Sequence, residues 1–430
     1  MLLTRHDPAY DDERSGYQRL GAHAPDRLIR ATSTDDVVAA VRHAADNDLP
    51  IAVQSGGHGL TTPLDRGVLI STRALADVQV DPTARTAHVP AGATWQRVIE
   101  AAAPHGLAPL SGSSPSVGAV SYTLGGGVGL LARRHGFAAD HVRSFEVVTP
   151  DGRLRHASPE REPELFWGLR GGGGNLGVVT AMTIDLVPLT QILGGGIYLD
   201  LDRTPDALRV WHEWTRTLPD EVTSAVAVLP FPDLPMVPPE LRGRHAVQVQ
   251  VVAPADWDRA FVEPLRALDP IRDTLRVLPY TESATVFDEP DRPHAYRSEN
   301  ALVADLHGLD ELPGRDVPVM CVVGIRHLGG ALARPPATPS AVGHRDAGYA
   351  VTVLSPVEPG QEDVVRATHE QAMKPWRRLG RSLNFSFGPL TPEQVREAYE
   401  PADHTRLLAL RDSVDPAGLL RPNHPLRPTR

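Results

Sequence analysis

Cysteine is almost absent from this chain of 430 residues, with Cys321 standing alone. One thiol cannot make an internal disulfide or a cysteine-built metal centre, and no metal site is expected. Lysine is as scarce: Lys374 is a single residue among 43 basic ones. The arginine excess and the 41 prolines read as the codon bias of a GC-rich genome, not as a functional device. No run of eighteen apolar residues occurs, and the opening MLLTRHDPAYDDERSGYQRL has no apolar core of a signal peptide. The expectation is a soluble protein without membrane association, located in the cytoplasm. No basic stripe stands out and the formal net charge is −10, which argues against nucleic acid as a partner.

Several catalytic signatures are missing as well. His212-Glu213-Trp214-Thr215-Arg216 starts like a zinc-protease helix but lacks the second histidine. There is no G-x-S-x-G elbow and no Walker lysine motif. What is present is glycine, in three clusters within the first half. An apolar run, IAVQ at 51–54, breaks into Ser55-Gly56-Gly57-His58-Gly59. Leu124-Gly125-Gly126-Gly127-Val128-Gly129 follows, then Arg170-Gly171-Gly172-Gly173-Gly174-Asn175-Leu176-Gly177. Glycine frees the backbone for positive φ and lets an anion approach peptide N–H groups. Three such clusters point to one large phosphate-bearing cofactor held by several loops. The second cluster alone could be read as a dinucleotide turn, which needs a preceding strand, a following helix and an acidic residue about twenty positions on; here it sits inside a longer, different pattern.

The organisation is mixed. Thr32-Ser33-Thr34-Asp35 opens a helix, IAVQ and Gly67–Ile70 read as strands, and 78–92 reads as a hairpin pair turning at Asp81-Pro82. Thr94–Ile99 opens a second helix, 145–158 is strand–turn–strand, and 177–189 is one long apolar strand. After about residue 190 come a helix at 204–218, strands such as SAVAVLPF and HAVQVQVVA, and two amphipathic helices within 390–416. The fold class is α+β, or mixed α/β, with two domains.

The stretches SGSSPSVGAVSYTLGGGVGLLARRHGFAADHV (111–142), ELFWGLRGGGGNLGVVT (164–180) and SLNFSFG (382–388), with the Gly56-Gly57-His58 turn, resemble the berberine-bridge-enzyme-like branch of FAD-linked oxidases. These belong to the vanillyl-alcohol oxidase group with its PCMH-type FAD-binding fold. The resemblance implies an FAD module over 1–190, a sheet-and-helix substrate domain over 191–384, and a segment, 385–430, that completes the FAD module. It implies FAD joined covalently through His58, with Gly56, Gly57 and Gly59 beside the phosphates. Gly125, Gly126, Gly127 and Gly129 would lie along the diphosphate and ribityl chain, Gly118 in the loop before them, and Gly172, Gly173, Asn175 and Gly177 on the adenine or flavin side. Ser114 stands where doubly attached relatives carry cysteine; a hydroxyl is a poor nucleophile, so one covalent bond is expected. Val117 is small enough to leave oxygen a path to the flavin. Gln54 departs from the arginine of many members.

The resemblance also implies catalytic positions. Asn384 lies near the flavin, and Tyr122 occupies the place of a ribityl-contacting histidine. The tyrosine that often serves as base is Ser382 here. Tyr349, on a strand whose alternate residues would face the flavin, is the substitute, ahead of His327 and Arg345. The implied activity is removal of hydride from a small organic substrate, with molecular oxygen reoxidising the flavin to hydrogen peroxide, plausible in secondary-metabolite tailoring. A dehydrogenase with another acceptor and a non-catalytic flavin- or ligand-binding protein stay open, as do the substrate and the oligomeric state.

Overall fold

Ser33 starts the first long helix, Thr34–Asp46, by a reciprocal cap. Its hydroxyl accepts from the Asp36 N–H at 3.2 Å, and the Asp36 carboxylate accepts from the Ser33 N–H at 3.2 Å. Such a cap is worth about 1 kcal/mol. Val37, Ala40, Val41 and Ala44 recur at helical spacing and are buried against strands from two sheets. The computed structural model describes residues 1–312 and 317–427.

The first sheet has four strands, ordered Leu2–Leu3, Arg27–Arg30, Val68–Ser71, Ile51–Gln54; the last three run parallel. The second is a five-stranded antiparallel sheet, ordered Gln79–Asp81, Thr86–Pro90, Val178–Asp185, Val142–Val148, Leu154–Ala157. The expected long strand at 177–189 is divided: Val178–Asp185 stays in this sheet, while Val187–Pro188 pairs with Leu107–Ala108.

The third sheet, nine antiparallel strands between Gln191 and Gly380, forms the roof over the first two. Its central strands are His245–Pro254, Thr223–Pro230, Val322–His327 and Tyr349–Pro356. Strand side chains alternate between faces. Val226, Val249, Val323, Ile325, Val351 and Val353 face a sealed core with Trp211 and Trp214 of the helix Ala207–Thr215 and Met373 of the helix Glu362–Met373. Each such side chain contributes roughly 1.5–3 kcal/mol by leaving water. The opposite residues face a cavity.

The chain's end returns to the first sheet. Ile51 donates to Leu419 O at 2.8 Å and Arg421 donates to Ile51 O at 2.7 Å. Asn175 holds the same segment: its Nδ2 donates to His424 O at 3.1 Å and its Oδ1 accepts from Leu426 N at 3.0 Å. Of the two C-terminal helices, Pro392–Arg396 and Pro401–Val414, the second departs from the expected amphipathic pattern: Leu407 is its only fully buried residue. Gly168 makes room for it, since a Cβ there would press on Leu410 at 2.7 Å. Residues 313–316, and 428–430 at the end of the segment 385–430, lie outside the described residues.

Candidate active site

The break after Ile51–Gln54 is forced by backbone proximity. Gly57 has φ +70°, and a Cβ there would collide with Gly16. The two glycines let the N-terminal segment lie on the turn: Tyr17 N–H donates to Gly56 O at 2.9 Å and Gln18 N–H to Gly57 O at 3.1 Å. Arg73 holds the turn from the other side, donating to Ser55 O at 2.9 Å. Gln54 is occupied locally, its Nε2 donating to Glu13 O at 2.9 Å.

This packing fixes His58 on three sides. Its ring stacks on Tyr17, with centroids 3.9 Å apart and planes 11° from parallel. Its carbonyl accepts from Tyr296 Oη at 2.7 Å. Its Nε2 lies 3.2 Å from Ser116 Oγ, which is 3.1 Å from Ser114 Oγ. Burial, with His294 nearby, pushes His58 down to about 4, so the imidazole is neutral at neutral pH. The side chain lies at the wall of a cavity of about 910 Å³. That is near the top of the range of roughly 300–1,000 Å³ for ligand sites.

The loop 112–118 and the helix Ala119–Leu124 form the floor. Ser114, Val117, Gly118 and Tyr122 line the cavity, as do Gly56, Gly57 and Gly59 from the first turn. Tyr122 stands edge-on to Trp95 at 5.5 Å, and its buried hydroxyl has no protein partner. Burial drives its pKa well above that of an ordinary phenol, so it is a donor and not a base. Asn384 completes this wall: its Nδ2 donates to Tyr122 O at 2.9 Å, and a Cβ at Gly125 would occupy the place of its Oδ1.

The glycines divide by task. Gly125, Gly173 and Gly177 line the cavity. Gly126, Gly127 and Gly129 do not, which corrects the expectation that all four of that cluster approach a ligand. A Cβ at Gly127 would strike the Tyr122 ring, one at Gly129 would strike Ser111 O, and one at Gly126 would crowd Val342 at 3.2 Å. Their missing side chains admit other parts of the protein.

Tyr349 is also corrected. On Tyr349–Pro356 the residues reaching the cavity are Thr352, Leu354 and Pro356, so Tyr349 has the opposite parity. It lies in the sealed core, with its hydroxyl 2.8 Å from Thr215 Oγ1. His327 stacks on it at 5.3 Å and contacts Arg133 Nη1 at 3.0 Å. Arg345 is committed to Asp140 at 2.7 Å. Ser382 faces Asn300, whose Oδ1 accepts from its N–H at 2.8 Å, and is not part of the cavity wall.

Sequence reasoning missed several polar residues that do reach the cavity. Arg326 and Glu289 stand together: Glu289 accepts from Ser113 Oγ at 2.7 Å and lies 3.8 Å from the Arg326 guanidinium. Gln248 and Gln250 project from His245–Pro254, with Gln250 Nε2 donating to Gln248 Oε1 at 3.1 Å. Tyr17 and Tyr296 brace His58. The available signal was strand alternation: Val322, Gly324 and Arg326 share one face, and fixing that register would have excluded Tyr349 and selected Arg326.

Residues 25–158 match the FAD binding domain family. The chain is 28% identical over 433 residues to the (R)-6-hydroxynicotine oxidase of Paenarthrobacter nicotinovorans, covering 94% of this chain and 91% of that one. It is 27% identical over 366 residues to the uncharacterized FAD-linked oxidoreductase YgaK of Bacillus subtilis, covering 80% and 78%. By name, the first of these relatives is an oxidase and the second an FAD-linked oxidoreductase, and residues 25–158 of this chain carry the FAD binding domain. Among solved structures, the xylooligosaccharide oxidase of Myceliophthora thermophila superposes with a TM-score of 0.85 over 100% of this chain and 97% of that one, at 19% identity; this is a likeness of fold.

The residues present fit FAD. Among the described residues, the N–H groups of Gly56 through Leu60 find no protein acceptor. Five such amides in succession, from residues that line the cavity, are donors suited to a diphosphate. The Tyr122 hydroxyl is buried beneath the floor, with no hydrogen-bond partner among the described residues. No helix among the described residues is long and apolar enough to cross a membrane.

Proposed function

We propose that this FAD-linked oxidoreductase is an oxidase that holds FAD by a single covalent bond at His58. The reading rests above all on one observation: a neutral imidazole, stacked on Tyr17 and hydrogen-bonded to Ser116, stands at the cavity wall beside five unpaired backbone amides. A ring nitrogen must be unprotonated to form such a bond, and burial keeps it so. Ser114 offers only a hydroxyl, hence one attachment and not two. Residues 1–190 with 385–430 hold the cofactor, and 191–384 provide the wall for substrate.

Bound flavin supplies hydride acceptance from a small organic substrate and return of the electrons to molecular oxygen. The chain's residues supply placement. The Gly56–Leu60 amides and Gly59, Gly118, Gly125 and Gly177 line the cofactor's path. Val117 keeps the floor of the loop low beside Ser114, leaving room for oxygen. Tyr122, held protonated, packs into the floor, and its carbonyl fixes Asn384 at the cavity wall by accepting from Asn384 Nδ2. Neither Tyr349 nor Ser382 reaches the site, so neither serves as base.

Acid precipitation of the purified protein tests this reading. Yellow colour in the pellet, with the mass of FAD on the peptide containing His58, is the expected result. Colour wholly in the supernatant would overturn the His58 bond. Reduction of the bound flavin without reoxidation in air would overturn the oxidase assignment.

A further inference from the structure

The sheet face over the cavity mixes apolar residues, Ala225, Ala227, Val322, Gly324 and Leu354, with the neutral polar Gln248, Gln250 and Thr352. Arg326 adds a charge to that surface. Its guanidinium lies over two aromatic rings, 4.6 Å from the Phe287 centroid and 5.0 Å from the Phe385 centroid. A guanidinium held on ring faces loses little freedom when its edge is bound. Among the described residues its only hydrogen bond is from Nη2 to Ser113 Oγ, at 3.3 Å. Glu289 stands at 3.8 Å, beyond hydrogen-bond range, and spends its short contact on Ser113 at 2.7 Å. The remaining N–H groups of the fork therefore have no acceptor among the described residues.

The other cationic residues at the wall are engaged elsewhere. Arg272 pairs with Glu240 at 3.2 Å, and Arg421 donates to the carbonyls of its own segment, including Gly418 O at 2.7 Å. Leaving a half-buried guanidinium's edge unpaired costs free energy unless a ligand supplies the acceptors. The neighbouring rings favour a flat apolar body beside the charge. A carboxylate matches the two-pronged fork of arginine.

The position also relates this ligand to the cofactor. Arg326 bonds Ser113, the neighbour of Ser114, and the same loop reaches His58 through Ser116. One loop thus connects Arg326 to the wall where His58 would tie the flavin. Resting on the assignment of a His58-bound flavin, we infer that Arg326 is the specificity residue for an aromatic acid: the carboxylate sits on its fork and the ring lies against Phe385 and Phe287.

Titration of the flavin-loaded protein with benzoate, benzamide and acetate, followed by the visible flavin spectrum, tests this. Benzoate is expected to perturb the spectrum saturably and to bind at least about tenfold more tightly than benzamide, its neutral counterpart, or acetate, which lacks the ring. Arg326→Leu is expected to erase the preference for benzoate over benzamide while flavin content stays unchanged. Arg326→Lys, which keeps charge but not the fork, is expected to retain part of it. Equal binding of benzoate and benzamide by the wild-type protein, or a preference that survives in Arg326→Leu, would overturn the inference. Flavin content and its acid stability are read on the same samples. A dissociable flavin with intact benzoate selectivity would sink the His58 bond and leave Arg326 standing; acid-stable flavin with no selectivity would do the reverse.

Discussion

The two faces of the nine-stranded sheet are built from the same strands and do opposite things. One packs Val226, Val249, Val351 and Val353 against Trp211 and Trp214, and seals Tyr349 and His327 beneath them. The other presents Gln248, Gln250, Arg326 and Thr352 to a cavity. A shift of one residue exchanges the faces. Chemistry on the first face is silent, because Tyr349 spends its hydroxyl on Thr215 and meets no ligand. Chemistry on the second is addressed to whatever occupies the cavity. A tyrosine or histidine on this sheet thus carries no meaning until its parity is known.

The largest effect expected from breaking this contrast comes from the cofactor wall opposite the cavity face. His58→Ala is expected to remove all acid-stable flavin while leaving a dissociable pool, measured by colour in the acid pellet. On the sealed face the expected loss is in stability. Trp211→Ala deletes a fully buried ring and its hydrogen bond to Ser224 at 3.0 Å. That change should cost about 3–5 kcal/mol in unfolding free energy, read from denaturant midpoints. Flavin attachment in the surviving folded fraction is expected to be normal.

The same contrast explains what was legible in the sequence. The cofactor side is specified by backbone: Gly56, Gly57 and His58 are consecutive, and a glycine turn after an apolar strand announces itself locally. Ser114, Val117, Tyr122 and Asn384 share a cavity wall that a long ordered pattern could indicate. The division of labour within 125–129 was not legible, because a glycine that admits a ligand and one that admits the Tyr122 ring are spelled alike. The substrate side is specified by register. Arg326 and Tyr349 lie on adjacent strands in which Arg326 pairs with Ala350 and His327 with Tyr349. No local signal in an apolar strand flanked by glycine says which parity faces inward. The polar pair Arg326–Glu289 joins residues 37 apart in number through a loop whose path no periodicity reveals.

A pH prediction tests burial on the sealed face next. On the sealed side, burial pushes His327 down to about 3 and His369 down to about 4. Unfolded, each would titrate near about 6.5. Below that value the unfolded chain binds protons that the folded chain refuses, so stability falls with pH. Each histidine contributes a slope of about 1.4 kcal/mol per pH unit from about 6.5 down to its folded value, and nothing above that window. Thermal midpoints should hold steady from pH 8 to 7 and decline from pH 6 to 4. His369→Gln should flatten the decline without changing flavin content. A midpoint that stays level down to pH 4 would show these side chains to be solvated.

Tyr349→Phe is the smallest change and the sharpest contrast with Arg326. It deletes one oxygen, hydrogen-bonded to Thr215 Oγ1 at 2.8 Å, and keeps the ring that packs on Trp211 and His327. Loss of a buried neutral hydrogen bond costs about 1 kcal/mol. Thr215 keeps its donation to His212 O at 2.7 Å, so no donor is stranded. The unfolding midpoint should therefore drop slightly, while acid-stable flavin and benzoate selectivity stay at wild-type values. If Tyr349→Phe instead altered the flavin spectrum in the presence of benzoate, the hydroxyl would have to communicate through the sheet, and the separation of its faces would be wrong.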